Sequence, residues 1–115
     1  MCGHYNCGGV AAACADGVRT GYIGDWLMIT SWAKRWVDER LKAEGRSVDS
    51  EAYLRLVVEG NVKLQVKHMS HLSFVREAWR NTPGVPRLHG WVYDLGTGLV
   101  RVVHDGDAAG TGNQP

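Results

Sequence analysis

The sequence lacks an excess of charge of either sign and a long apolar run. Its 13 basic and 12 acidic side chains give a formal net charge of +1 at pH 7, so nothing in its charge indicates binding to nucleic acid or to an anionic membrane surface. No stretch approaches the roughly 20 apolar residues that a membrane-spanning helix needs. We therefore expect neither nucleic acid nor membrane as a partner, and a function must be argued from a local site.

The sequence also has few cysteines. The three present, Cys2, Cys7 and Cys14, all lie near the amino terminus. An odd number of cysteines in one short stretch is typical of reduced thiols or metal ligands and does not fit a disulfide framework. On this ground we expect a cytoplasmic setting.

What is present suffices for one folded domain, because 115 residues with 44% hydrophobic content can bury a core. Residues 1–4 resemble the last step of a strand that enters a turn. Gly8 and Gly9 interrupt any regular pattern after them, and residues 10–15 favour a helix. The amino-terminal pattern thus predicts strand, turn and helix in quick succession.

Three longer stretches show helical periodicity. The first helix is predicted to begin after a cap at Asp25 and to end at Gly45. The second is predicted to begin after a cap at Asp49 and to be interrupted at residues 60–61, where a glycine and an asparagine occur together. The third is predicted over residues 73–81, since a proline and a glycine follow it.

The carboxyl-terminal part has the composition of strands. Residues 88–93 and 99–103 are rich in Val, Trp and Tyr and flank a turn at residues 94–98, which predicts a β-hairpin. Residues 106–115 are small, polar and glycine-rich, so we expect a disordered tail. The folded domain is predicted to cover residues 1–105.

One pair of residues indicates chemistry. His4 and Cys7 lie three residues apart in a predicted tight turn, and imidazole and thiolate are ligands that zinc prefers. Such a pair alone is more often part of a structural turn than a metal site. Gly8 and Gly9 strengthen the metal hypothesis, because they let the backbone fold closely around an ion.

The remaining thiols and imidazoles have simpler interpretations. Cys2 shares a strand face with His4 and is a weaker candidate ligand, whereas Cys14 is expected to be a small buried hydrophobe. Structural or solvent-facing roles are commoner than metal binding for the other four histidines, which are His68, His71, His89 and His104.

Residues 2–13 read CGHYNCGGVAAA and resemble the His-x-x-Cys-Gly-Gly motif of the β-class carbonic anhydrases. The resemblance continues through Gly24 to Leu27, Asn61-Val62, His89 to Asp94, and Gly98-Leu99. It implies an α/β fold, a mostly parallel sheet flanked by helices, here reduced to a strand stub, helices and a carboxyl-terminal β-hairpin.

The resemblance also implies a function, the zinc-dependent reversible hydration of carbon dioxide to bicarbonate. In the family, two cysteines and a histidine hold the zinc ion, and His4 and Cys7 match two of these ligands. Gly8 and Gly9 are expected to line the substrate pocket. The family's Cys-x-Asp-x-Arg motif, which supplies the other thiolate and the catalytic Asp and Arg, has no counterpart here, so no catalytic residue is assigned.

Two hypotheses follow. In the first, the chain is a fragment of a carbonic anhydrase that assembles as a homodimer or larger homo-oligomer. In the alternative, it is a non-catalytic remnant that binds zinc weakly or joins full-length subunits. An in-frame Cys-x-Asp-x-Arg motif upstream of Met1 would favour the first, and an in-frame stop codon the second. A related carbon disulfide or carbonyl sulfide hydrolase also fits the motifs. Unpaired strand edges and apolar helix faces lead us to expect low stability of the chain alone.

Overall fold

The computed structural model describes residues 1–15 and 21–107. The elements, in chain order, are β1 (Cys2–His4), α1 (Gly8–Cys14), α2 (Gly21–Glu44), α3 (Ser50–Ser70), α4 (Ser73–Asn81), β2 (Leu88–Tyr93) and β3 (Val100–Asp107). The predicted α/β class is therefore confirmed. Among the helices in these ranges, none combines the length and the apolar character needed to cross a membrane.

The three strands form one sheet in the order β1-β2-β3. β1 runs parallel to β2, with His4 opposite Tyr93, and β3 runs antiparallel to β2 as the predicted hairpin. β3 ends at Asp107, beyond the predicted end at residue 103. Gly106 thus lies in a strand, and the rest of the predicted tail, residues 108–115, lies outside the described residues.

The main core lies between the sheet and α3, with α1 and α2 packed beside them. Its buried members are Tyr5, Val10, Val37, Val57, Val58, Val62 and Val92. Two glycines bring the strands close to α3: a Cβ on Gly3 would lie 2.7 Å from Val62 Cγ2, and one on Gly90 would lie 3.0 Å from Val62 Cγ1. β1 is therefore held against α3 at a distance that a larger side chain would not allow.

The predicted interruption at residues 60–61 is wrong, because α3 is continuous from Ser50 to Ser70. Gly60 is buried where α2 crosses α3. A Cβ at this position would lie 3.2 Å from the Trp36 ring and 3.3 Å from Val37 Cγ2. The local cost of a helical glycine, about 1 kcal/mol relative to alanine, is offset by the close approach of the two helices.

Four of the five predicted helix ends agree with the structure. Asp49 caps α3, since its carboxylate accepts a hydrogen bond of 2.8 Å from the Ala52 amide. Gly45 follows α2 with φ of 62°, and α4 covers the predicted residues. The start of α2 is wrong: the helix already begins at Gly21, so Asp25 lies inside it and is not its cap. The apolar residues before Asp25 extend the helical face toward the amino terminus.

Asp49 caps a helix and Asp25 lies inside one, so their replacement by alanine should affect stability differently. Asp49→Ala is expected to lower the free energy of unfolding by about 0.5–2 kcal/mol, the usual cost of losing a capping side chain. Asp25→Ala is the matched control and is expected to cause no loss, because alanine is the better helix former. Urea unfolding followed by circular dichroism measures both. Equal losses in the two variants would contradict the assignment of the cap.

Large apolar side chains remain exposed on α2 and on the sheet face opposite α3. Tyr22, Trp26 and Trp32 on α2 are 95%, 75% and 60% exposed. On the sheet, the outer face carries Trp91 and Val102, which are 45% and 53% exposed. The predicted exposure of apolar helix faces is thus present in the structure, and low stability of the isolated chain stays a prediction.

Candidate metal centre

A strand, a tight turn and a helix place His4 and Cys7 on the two sides of one loop. The Tyr5 amide donates to the Tyr93 carbonyl at 3.0 Å, so pairing with β2 continues one residue past β1. Asn6 then takes the left-handed conformation, with φ of 56°, and reverses the chain. Cys7 is the residue that precedes the first turn of α1. This is the succession of elements that the sequence predicts.

The ring of His4 is exposed and has a defined orientation. Its Nδ1 lies 2.8 Å from the Tyr5 carbonyl oxygen. A carbonyl oxygen can only accept, so Nδ1 carries the hydrogen and the lone pair of the neutral ring is on Nε2. Histidine ligands of metals are commonly oriented in this way, with the second ring nitrogen donating to a carbonyl or carboxylate. Nε2 is therefore the ring nitrogen of His4 that the Tyr5 carbonyl leaves free.

Cys7 is half-buried beside the two glycines. A Cβ on Gly9 would lie 3.7 Å from both Cys7 Sγ and Leu27 Cδ2, whereas one on Gly8 would meet nothing within 4 Å. Gly8 borders a cleft of about 240 Å³, which is also lined by Cys7, Glu51 and Arg55. The two glycines thus differ: Gly8 faces the cleft, and Gly9 lies against the thiol.

No third candidate ligand joins His4 and Cys7 in the part of the chain that the structure describes. Within residues 1–15 and 21–107, no group of three or more His, Cys, Asp or Glu side chains could hold a metal ion. Cys2 is exposed on β1 and its thiol contacts the Gly3 carbonyl at 3.4 Å. Imidazole and thiolate suit zinc, so the donors present fit one half of a four-coordinate site.

The other candidates have structural surroundings. Cys14 packs against the core, and burial raises the pKa of its thiol. His68 meets the Trp32 ring edge-to-face at 6.4 Å. His71 Nδ1 lies 2.8 Å from the Lys67 carbonyl oxygen at the end of α3, and His89 contacts Asp105 at 3.5 Å. These surroundings fit the structural roles expected of them.

Sequence reasoning missed Tyr5, which lies between the two candidate ligands. Its side chain is only 1% exposed, and its hydroxyl donates to Glu59 Oε1 at 2.5 Å. Burial, and then the hydrogen bond to Glu59, raise the pKa of the phenol, so it remains a protonated donor. Strand alternation could have identified it, because an exposed His4 places its neighbour on the inner face.

Charged side chains enclose Tyr5 from two sides. The Arg55 guanidinium lies 3.7 Å above the Tyr5 ring and 3.6 Å from Asp94 at the end of β2. Arg101 on β3 lies 3.6 Å from Glu59. The turn is therefore tied to α3 and to the hairpin, which fixes the backbone that carries both His4 and Cys7.

The fold and the turn together define an α/β protein in which a histidine and a cysteine flank a tight turn at the end of a parallel strand. Comparison with known proteins identifies the family. The sequence model of the carbonic anhydrase family matches residues 1–100. A carbonic anhydrase of Emericella nidulans is 35% identical over 101 residues, which are 88% of this chain and 42% of that protein.

Solved structures agree. A tetrameric β-carbonic anhydrase of Sordaria macrospora superposes with a TM-score of 0.78 at 28% identity, over 93% of this chain and 52% of that one. The β-carbonic anhydrase CafA of Aspergillus fumigatus gives 0.69 at 34% identity, over 88% and 45%. The chain belongs to the carbonic anhydrase family, in its β class, and it spans about half of the length of these relatives or less.

Proposed function

We propose that this chain takes part in the zinc-dependent reversible hydration of carbon dioxide to bicarbonate, with His4 and Cys7 as two of the zinc ligands. The observation that carries the proposal is the turn itself, in which the Tyr5 carbonyl leaves His4 Nε2 as the free nitrogen. Membership of the β class of carbonic anhydrases supports the choice of reaction.

His4 and Cys7 would hold a zinc ion, which would supply Lewis acidity for the activation of water. The residues of this chain hold and orient that centre. The Tyr5 carbonyl fixes the tautomer of His4, and Cys7 contributes a thiolate at the start of α1. Gly8 leaves open space beside the thiol, and Val10, Leu54 and Val58 give the cleft apolar walls that suit carbon dioxide.

We further propose that activity requires groups beyond these 115 residues, because the sequence has no Cys-x-Asp-x-Arg motif. The resemblance assigns the second thiolate and the catalytic Asp and Arg to that motif. Assembly as a homo-oligomer is part of the same proposal. It is supported by the tetrameric enzymes of Sordaria macrospora and by the exposed tryptophans of α2, which an intersubunit contact would bury.

The test compares the 115-residue chain with a fusion that places the corresponding upstream segment of the Emericella nidulans relative before Met1. Stopped-flow hydration of carbon dioxide is expected to show activity for the fusion and none above background for the chain alone. In the fusion, His4→Ala is expected to reduce activity by more than about 100-fold. Loss of a residue that only supports a metal ligand costs up to about 100-fold, so loss of a ligand itself should cost more.

His71→Ala in the fusion is the matched control, because His71 is an exposed histidine at the end of α3 and should leave the rate unchanged. A fusion that is folded by circular dichroism and inactive would contradict the proposed function. Activity of the chain alone that depends on His4 would show that other residues of this chain complete the site.

A further inference from the structure

We propose that the pocket where α2, α3 and β3 meet binds a phosphate dianion, free or as a monoester, through the four cationic side chains that line it. These side chains are Arg40, Arg46, Lys63 and Arg101. Neither His4 nor Cys7 lines this pocket. The inference therefore does not rest on the proposed function, and it concerns a ligand that is bound and not converted.

The pocket has a surplus of positive charge. Its volume is about 210 Å³, and the four cations are accompanied by only two carboxylates, those of Glu44 and Glu59. The whole chain has a formal net charge of +1, so this surplus is a local feature of the pocket. A dianion would balance it, and phosphate oxygens match the geometry of guanidinium donors.

The two carboxylates orient the three arginines and leave donors available. Glu44 accepts from Arg40 Nε at 2.9 Å and from Arg46 Nη1 at 3.0 Å. Glu59 lies 3.6 Å from Arg101 Nη1. Because a guanidinium has five N–H donors, each arginine keeps further donors for a ligand, including both Nη atoms of Arg40. Side chains that are already restrained lose less freedom when a ligand binds.

Lys63 is the cation of the pocket that has no carboxylate partner. None of the ion pairs within residues 1–15 and 21–107 includes it. Its Nζ lies 5.8 Å from the centroid of the Trp36 ring, and Arg40 Cζ lies 5.6 Å from the same centroid. Two like charges near one ring repel each other, and a bound anion would replace this repulsion by attraction to both.

Packing fixes the Trp36 ring, beside which the two cations lie. The ring packs against the main core, and a Cβ on Gly60 would lie 3.2 Å from two of its atoms. Val37, Leu41 and Leu56 continue the apolar side of the pocket. The pocket thus places an apolar wall next to its cations, an arrangement that suits the organic part of a phosphate monoester.

The experiment titrates the purified 115-residue chain, in zinc-free buffer, with inorganic phosphate and with phenyl phosphate. Isothermal titration calorimetry is expected to show saturable binding that weakens as sodium chloride is added, because salt screens exposed charges. Tighter binding of phenyl phosphate would identify a monoester as the ligand, and equal or weaker binding would identify the free ion. Absence of saturable binding for both probes would overturn the inference.

Lys63→Gln is expected to weaken the binding of either probe about tenfold, the effect of losing one charge-assisted contact, and Lys63→Arg should retain the affinity. Because Lys63 has no ion pair to lose, Lys63→Gln should leave the urea midpoint in phosphate-free buffer unchanged or higher. A variant that keeps this midpoint and loses phosphate has lost a ligand contact and not its fold.

Lys42→Gln is the matched control. It removes the same charge from an exposed lysine in the last turn of α2 that does not line the pocket, so the affinity should not change. His4→Ala should also bind phosphate unchanged, which separates this site from the proposed metal ligands. Equal losses in Lys63→Gln and Lys42→Gln, or a loss in His4→Ala, would overturn the inference.

Discussion

Tyr5→Ala is expected to lower the free energy of unfolding by about 3–5 kcal/mol, the range for truncating a large buried aromatic side chain to alanine. The ring is 1% exposed and belongs to the main core. Its loss removes the surface on which Arg55 lies and the donor to Glu59. Because a domain of this size has a total stability of only about 5–15 kcal/mol, the variant should be close to unfolded at room temperature.

Two further variants separate the ring from the hydroxyl. Tyr5→Phe keeps the ring and removes the hydrogen bond to a carboxylate, so a loss of about 1.5–3 kcal/mol is expected. Tyr22→Ala is the control, because Tyr22 is 95% exposed and surface substitutions usually change stability by no more than about 0.5 kcal/mol. Urea unfolding of all three variants, with a zinc-free sample, gives the comparison. Similar losses for Tyr5→Ala and Tyr22→Ala would show that Tyr5 is not in the core.

Gly3→Ala is expected to destabilise the fold by about 1–3 kcal/mol, the usual cost of overpacking a close contact. The added Cβ would lie 2.7 Å from Val62 Cγ2, at the place where β1 packs on α3 and pairs with β2. Relief of the clash requires β1 to move away from α3. Since His4 follows Gly3 directly, the same variant is expected to displace the His4 backbone and, under the proposed function, to weaken zinc binding.

A double substitution tests whether Val62 is the cause. Val62→Ala should destabilise alone by leaving a cavity, but Gly3→Ala combined with Val62→Ala should cost less than the sum of the two, with a coupling of about 0.5–3 kcal/mol. Gly8→Ala is the matched control, because no atom lies within 4 Å of its added Cβ and alanine favours the helix. Additive losses in the double variant would exclude the Val62 contact as the source of the effect.

The ion pairs and hydrogen bonds around Tyr5 link stability to the turn that carries His4 and Cys7. Glu59 and Arg55 both belong to α3, and each also contacts the hairpin, through Arg101 and Asp94 respectively. The candidate ligands lie on either side of Tyr5 in the chain, on a turn that has no disulfide to fix it. The position of that turn therefore depends on packing across three elements that are far apart in sequence.

Features that rest on local chemistry can be predicted from the sequence alone. The cap at Asp49, the helix over Ser73–Asn81 and the strand over Leu88–Tyr93 follow from side chains within a few residues of each boundary. The turn that carries His4 and Cys7 follows in the same way, from glycines placed next to a metal-type pair. Membership of the family was also predicted from the sequence, because several of the family's motifs occur in order along the chain.

Features that depend on distant partners cannot be predicted in this way, because they form only when the chain has folded. The sequence predicts an interruption of α3 at Gly60, whereas in the structure Gly60 makes room for the Trp36 ring on α2. The sequence gives no role for Tyr5, because the acceptor of its hydroxyl hydrogen bond, Glu59, lies 54 residues away. The pairing of β1 with β2 likewise depends on residues more than 80 positions apart. Periodicity and capping act over one or two helical turns, whereas close packing and buried hydrogen bonds are satisfied only when remote segments meet.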